Sequence, residues 1–244
     1  MIYYFSATGN SEHAASYLSS LLSEKTRRIT HDTVLDKEKD ITIVTPLYFW
    51  GLPKILSELL EKTQWSEKEK PTFVITCGGF AGSVDRQIKK MVYPATAHIY
   101  DVIMETNYII LHTISTKAII SEKLVQADQK IKEIADDFTL HKKTYHSTLV
   151  YSLLGTLIQG LHFYEYYRNT KPFQVSASCI SCGLCEENCP DKAIRLDQGT
   201  PVWIEKKCQN CLRCLHNCPS SAIDYGEKTK GKKRYTYNRY AKVE

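Results

Sequence analysis

Eight of the nine cysteines in this 244-residue chain fall between Cys179 and Cys218, and they fall as a duplicated run. The segment from Cys179 to Ile194 repeats from Cys208 to Ile223, at an offset of 29 residues with eight of sixteen positions identical. Each copy reads C-x2-C-x2-C-x3-C-P. A chain this rich in cysteine at one end must gather the thiols on tight loops, and duplication favours two small units packed as a pseudo-symmetric pair. Disulfides would require an oxidising compartment. The first residues, Met1 to Phe5, have neither a basic leader nor a small-residue cleavage site, so a reducing cytoplasm is expected. Clustered cysteines there are usually metal ligands. Zinc sites commonly use two C-x2-C pairs, four ligands to a metal, which two triplet-plus-one runs fit poorly.

The spacing resembles the run of bacterial ferredoxins, which holds [4Fe-4S] clusters. That resemblance implies that three closely spaced cysteines serve one cluster and the fourth crosses to the other. Cys179, Cys182, Cys185 and Cys218 are then expected on one cluster, and Cys208, Cys211, Cys214 and Cys189 on the second. Pro190 and Pro219 would turn the chain away after the fourth cysteine of each run. Gly183 allows close backbone approach in the first copy, and Leu212 replaces it in the second.

The first 140 residues show a different pattern. Apolar runs at Met1 to Phe5, Ile41 to Thr45, Thr72 to Thr76 and within Ile99 to Ile110 read as strands. Between and after them, Glu12 to Leu22, Lys54 to Lys62, Val84 to Val92 and Ser121 to Leu140 have helical spacing. Lys25 to Thr33 is placed as a further strand by elimination. Alternating strands and helices predict an α/β fold, a doubly wound parallel five-stranded sheet, with a small α+β domain of the ferredoxin type after it.

The loop Ser6, Ala7, Thr8, Gly9, Asn10, Ser11 lies between the first strand and the first helix. A helix N-terminus with its open N–H groups is an anion site, and the hydroxyls and amide of this loop can add donors. It contains no Lys or Arg, lacks the Gly-Lys-Ser/Thr of a Walker loop and lacks G-x-G-x-x-G. It resembles the phosphate loop of flavodoxins, which implies FMN. Two more loops fall where that family places its ring contacts. One is Pro46, Leu47, Tyr48, Phe49, Trp50 and Gly51. The other contains Cys77, Gly78 and Gly79. Tyr48 and Trp50 are expected to stack on the flavin, and N–H groups near Gly78 and Gly79 to reach it. Cys77 reads as a buried thiol. His13, His98, His112, His141 and His162 form no ligand-like pattern.

The whole chain resembles the flavodoxin–ferredoxin fusions of the EFR1 family. That resemblance implies an FMN domain over 1–142, a helical linker over 143–171, a domain with two [4Fe-4S] clusters over 172–226 and a basic tail over 227–244. The implied role is electron transfer between FMN, the clusters and a redox protein in anaerobic metabolism. A flavin-dependent reductase and a redox sensor are the alternatives. The run Thr148 to Tyr164 is too polar and too short for a membrane span. The segment after Cys218 carries seven cations against three acids, which is too local a charge to predict a nucleic-acid binder. A homodimer is left open.

Overall fold

A computed structural model describes residues 1–38, 40–138, 140, 145, 157 and 163–241. The first half alternates β1 (Ile2–Tyr4), α1 (Asn10–Leu22), β2 (Thr26–Arg28), β3 (Thr42–Pro46), α2 (Lys54–Lys62), β4 (Thr72–Cys77), α3 (Val84–Met91), β5 (His98–Ile103) and α4 (Lys117–Asp137). The five strands form one sheet in the order β2-β1-β3-β4-β5, every pair parallel. This is the flavodoxin-like doubly wound order.

Strand alternation supplies both faces of the sheet. Tyr3, Ile43, Phe73, Ile75 and Ile99 point to one side and pack with Ile55, Leu56 and Leu60 of α2 and Ile88 of α3. Ile2, Val44, Val74, Tyr100 and Val102 point to the other and meet α1 and α4 through Ala14, Leu18, Leu124 and Ile131. The weakly apolar second strand is only three residues long and lies at an edge, where one face of pairing suffices. Helix α4 begins at Lys117, four residues earlier than the apolar pattern marks it, because Thr116 caps it by accepting from the Ile119 N–H.

The second half holds α5 (Phe163–Tyr167), β6 (Phe173–Val175), α6 (Leu184–Glu187), β7 (Ile194–Asp197), β8 (Thr200–Trp203), α7 (Arg213–His216), β9 (Ile223–Tyr225), a 3-10 turn at Gly226–Lys228 and α8 (Tyr237–Ala241). Strand β6 pairs with β9, and β7 with β8, both antiparallel. The internal repeat is visible in the backbone. Ser181 and Asn210, Gly183 and Leu212, and Lys192 and Ser221 occupy equivalent positions in the two copies, and all six have left-handed φ between 49° and 77°. Leu212 adopts the conformation that Gly183 takes freely. Its side chain is 2% exposed, in a cluster with Leu215, Ile223 and Tyr225, so burial offsets the strain.

Most of the expected linker over 143–171, including most of the apolar run from Thr148, lies outside the described residues. Among the described residues no helix is long and apolar enough to cross a membrane. The basic tail turns back on the sheet: Arg234 and Tyr235 are buried, and Tyr235 joins the core of α1 and α4.

Candidate functional site

At the carboxyl ends of β1, β3 and β4 the chain encloses a cavity of about 400 Å³. Connections from β1 and β3 leave the sheet in opposite senses here, the place where open α/β sheets leave a crevice. Ser6, Ala7, Thr8, Asn10 and Ser11 line one part of it. Gly9 sits at the N-terminus of α1 with φ 101°, and its N–H donates to Ser6 Oγ at 3.1 Å, closing the loop. Ser11 Oγ and Thr76 Oγ1 share a hydrogen bond at 2.7 Å, fixing the loop to β4. The Asn10 side chain, which also lines the cavity, is bonded through both of its polar atoms. Its Nδ2 donates to the Glu105 carbonyl at 3.0 Å, and its Oδ1 accepts from the Tyr235 hydroxyl at 2.7 Å.

Pro46, Leu47, Tyr48, Phe49 and Trp50 line the second wall. The turn is closed by paired Tyr48 and Gly51 backbone bonds at 2.9 and 3.0 Å. Phe49 and Trp50 have φ of 52° and 57°, an uncommon conformation for aromatic residues. Trp50 stacks on Phe80 with ring centres 5.4 Å apart. Phe49 stacks on Tyr167, from the second half, at 5.1 Å. Tyr48 is buried edge-on to Phe5, and desolvation pushes its hydroxyl well up, while Phe49 and Trp50 beside it are half-buried, Phe49 also packing on Tyr108 and Tyr164.

Cys77, Gly78 and Gly79 supply the third wall. Burial pushes the Cys77 thiol up to about 12. A Cβ on Gly78 would lie 2.9 Å from Thr106 Cβ, whereas nothing lies within 4 Å of one on Gly79.

The fourth wall comes from the cysteine repeat: Asn210 and Cys211 line the same cavity. Neither was expected at the flavin loops, and nothing in local sequence marks them for it. Gln209 accepts the Ile55 N–H at 3.1 Å, and the Tyr164 hydroxyl accepts the Lys54 N–H at 3.3 Å, so the second half caps the start of α2. Tyr108 donates to Asn210 Oδ1 at 3.0 Å. The Asn210 Nδ2 and the Tyr48 hydroxyl are buried without a hydrogen-bond partner among the described residues. Cavity size, neutral donors at a helix start and aromatic residues in the lining suit a flat ligand with an anionic end.

The cysteines ring two smaller recesses. Cys179, Cys182, Cys185 and Cys218 border one; Cys189, Cys208 and Cys211 border the other; and Cys214 touches both. Among the described residues no three His, Cys, Asp or Glu side chains could hold a single metal ion. Backbone N–H groups already face the sulfurs: Ala193 to Cys189, Asn210 to Cys208 and Ala222 to Cys218, each at 3.3 Å. Such donors stabilise thiolate charge and tune a cluster. Burial raises the thiols of Cys208, to about 12, and of Cys211 and Cys214. Loading this recess with metal therefore has to displace protons. Cys182, in the other set, is exposed.

Residues 178–223, which contain all eight clustered cysteines, match the 4Fe-4S dicluster domain family. The chain therefore joins a flavodoxin-like α/β sheet to an iron–sulfur segment of the ferredoxin type. No curated protein matches the chain. Among solved structures, a putative flavoprotein from Bacteroides eggerthii DSM 20697 is 18% identical, with 41% of this chain and 86% of that one covered at a TM-score of 0.34. A flavodoxin from Streptococcus pneumonia TIGR4 is 19% identical, with 56% and 97% covered at a TM-score of 0.37.

Proposed function

We propose that this chain is an electron-transfer iron–sulfur flavoprotein of the EFR1 family. In this reading it holds FMN in the large cavity and two [4Fe-4S] clusters at the two cysteine sets. It passes electrons between them and a protein redox partner in the anaerobic metabolism of a cytoplasm. Its working parts are the FMN domain over 1–142, the cluster domain over 172–226 and the segments that join them. FMN exchanges electrons singly or in pairs and each cluster exchanges one, so the pair converts between the two modes.

One observation carries the reading: Cys211, a candidate cluster ligand, borders the same cavity as the Ser6–Ser11 loop. A ligand filling that cavity lies against the cysteine loop with no intervening layer of protein. The chain's own residues account for the rest. The start of α1 offers N–H groups and dipole to an anion. Trp50 and Phe49 place aromatic rings in the cavity lining, a surface that suits a planar ligand. The hydroxyls of Ser6, Thr8 and Ser11 line the same cavity and suit its polar end.

Anaerobic reconstitution, with iron, sulfide and flavin counted per chain and followed by stepwise reduction, tests the proposal. About eight irons and one FMN, with electrons equilibrating between them, are expected. Eight irons with no flavin would leave the cavity without its assigned ligand and overturn the reading. Flavin and clusters that titrate without exchanging electrons would overturn the transfer step.

A further inference from the structure

The Ser6–Ser11 loop is held from outside by the end of the chain. A peptide unit points its N–H and C=O in opposite directions. A loop that turns N–H groups toward an anion therefore turns carbonyls away from it, and those carbonyls need donors. The Thr8 carbonyl accepts the Tyr237 N–H at 2.7 Å. The Ala7 carbonyl accepts from Asn217 Nδ2 at 3.4 Å. The Tyr235 hydroxyl fixes the Asn10 side chain at 2.7 Å. Asn107 donates to Thr8 Oγ1 at 2.5 Å, and its own carbonyl is bonded by His216 Nε2 at 2.7 Å.

The approach is close. A Cβ on Gly9 would lie 2.8 Å from Tyr237 Cβ, so the glycine is required by the tail as well as by its φ of 101°. The His13 ring lies 4.1 Å from that of Tyr237, nearly parallel, along the first turn of α1. The other end of the strap is anchored in the cluster segment. Arg234 pairs with Asp224 at 2.7 Å and donates to the carbonyls of Ile223 and Thr229. Tyr235 donates its N–H to His216 Nδ1 at 3.0 Å.

We propose that the segment from Asn217 to Tyr237 completes the phosphate end of the flavin site, with Asn217, Tyr235 and Tyr237 as positioning residues for the Ser6–Ser11 loop. This rests on the FMN reading. The strap touches the outward side of the loop, so it acts on the ligand's phosphate group and not on its ring. Asn217 precedes Cys218 directly, so the same segment ties the cysteine set to the flavin loop.

The test uses the full, cluster-loaded chain and compares FMN with riboflavin, which has the same ring without the phosphate, by anaerobic fluorescence titration. Tyr235→Phe removes one hydroxyl and keeps the ring. Tyr237→Pro removes the N–H at the first residue of α8, a position where proline is compatible with a helix. Tyr237→Ala keeps the N–H and removes only the ring. Tyr235→Phe and Tyr237→Pro should each weaken FMN about five- to tenfold, the effect of one hydrogen bond, with riboflavin affinity and iron content unchanged. Tyr237→Ala should weaken FMN less than Tyr237→Pro. FMN affinity unaltered in both variants, or FMN and riboflavin weakened equally, overturns the strap. A wild-type chain that binds neither flavin overturns the FMN reading and this one with it.

Discussion

Single residues around the cavity divide into those that shape it and those that merely border it, and glycine separates the two. A Cβ on Gly82 would meet the Trp50 ring at 2.7 Å, and its φ of 61° strains any other residue. Gly82→Ala should therefore cost about 1–3 kcal/mol of stability, displace Trp50 and weaken flavin binding, read by thermal melting and by the Trp fluorescence. Gly79 has open space around its Cβ position. Gly79→Ala should leave the melting temperature unchanged, so any loss of flavin affinity in it locates the ligand beside that backbone. His216 is a residue of another kind. Burial holds its imidazole down at about 4, against an ordinary value of 6.5. Its Nε2 donates to the Asn107 carbonyl and its Nδ1 accepts the Tyr235 N–H, so the neutral form is the one that fits. Between pH 6.5 and 4 the unfolded chain takes up a proton that the folded one refuses. The stabilisation is thus complete above pH 6.5 and is lost as pH falls toward 4, by at most about 3 kcal/mol. Melting curves across that window should fall more steeply for the wild type than for His216→Gln, and equal slopes would dismiss the effect.

At the scale of elements, the link between α4 and the loop after β5 is the most exposed to a single change. Glu105 is 2% exposed, accepts the Ser115 N–H at 2.8 Å and pairs with Lys123 of α4 at 2.6 Å. Lys123→Met removes the cation and leaves a buried carboxylate without its charge partner. The expected loss is about 3–5 kcal/mol in chemical denaturation, and a loss below about 1 kcal/mol would mean that water already screens Glu105. Elements of this kind were largely legible in sequence, because alternation along strands and the 3.6-residue spacing of Ile55, Leu56, Leu59 and Leu60 are local patterns. The cysteine repeat was legible for the same reason, since its spacing is short-range. What the sequence concealed is the contact between elements far apart in the chain. Gln209 and Asn210 look like ordinary turn residues between two cysteines, and Tyr235 and Tyr237 like parts of a charged tail. Their roles come from partners 102 to 229 residues away, for which no local pattern exists. Tyr48 illustrates the converse, since its position after a strand marked it for the site and it does line the cavity, but its burial and its edge-on packing on Phe5 come from elements that no local pattern links.

For the molecule as a whole, the two halves are bonded through groups that neither could leave unpaired cheaply. The first N–H groups of α2 have no partners within their helix, and Gln209 and Tyr164 meet them. Gln209 also donates to Asp191 at 3.0 Å, beside the second cysteine set, and Asp191 in turn bonds His31 of the first half at 3.0 Å. Tyr235 lies in the core under α1 and α4, and Lys232 reaches the carbonyls of Ile109 and His112. Polar groups buried at such a seam cost more when abandoned than they contribute when paired, so separating the halves is opposed at several points together. Thermal unfolding of the cluster-loaded chain should therefore be a single transition, with loss of the sheet by circular dichroism coinciding with bleaching of the clusters in the visible. Gln209→Ala strips the Ile55 N–H and Asp191 of their shared partner and should cost about 1–3 kcal/mol. It should lower both signals by the same amount and keep them superimposed. Two separated transitions in the wild type would mean that the seam is too weak to couple the halves, and that electrons cross between domains that move independently.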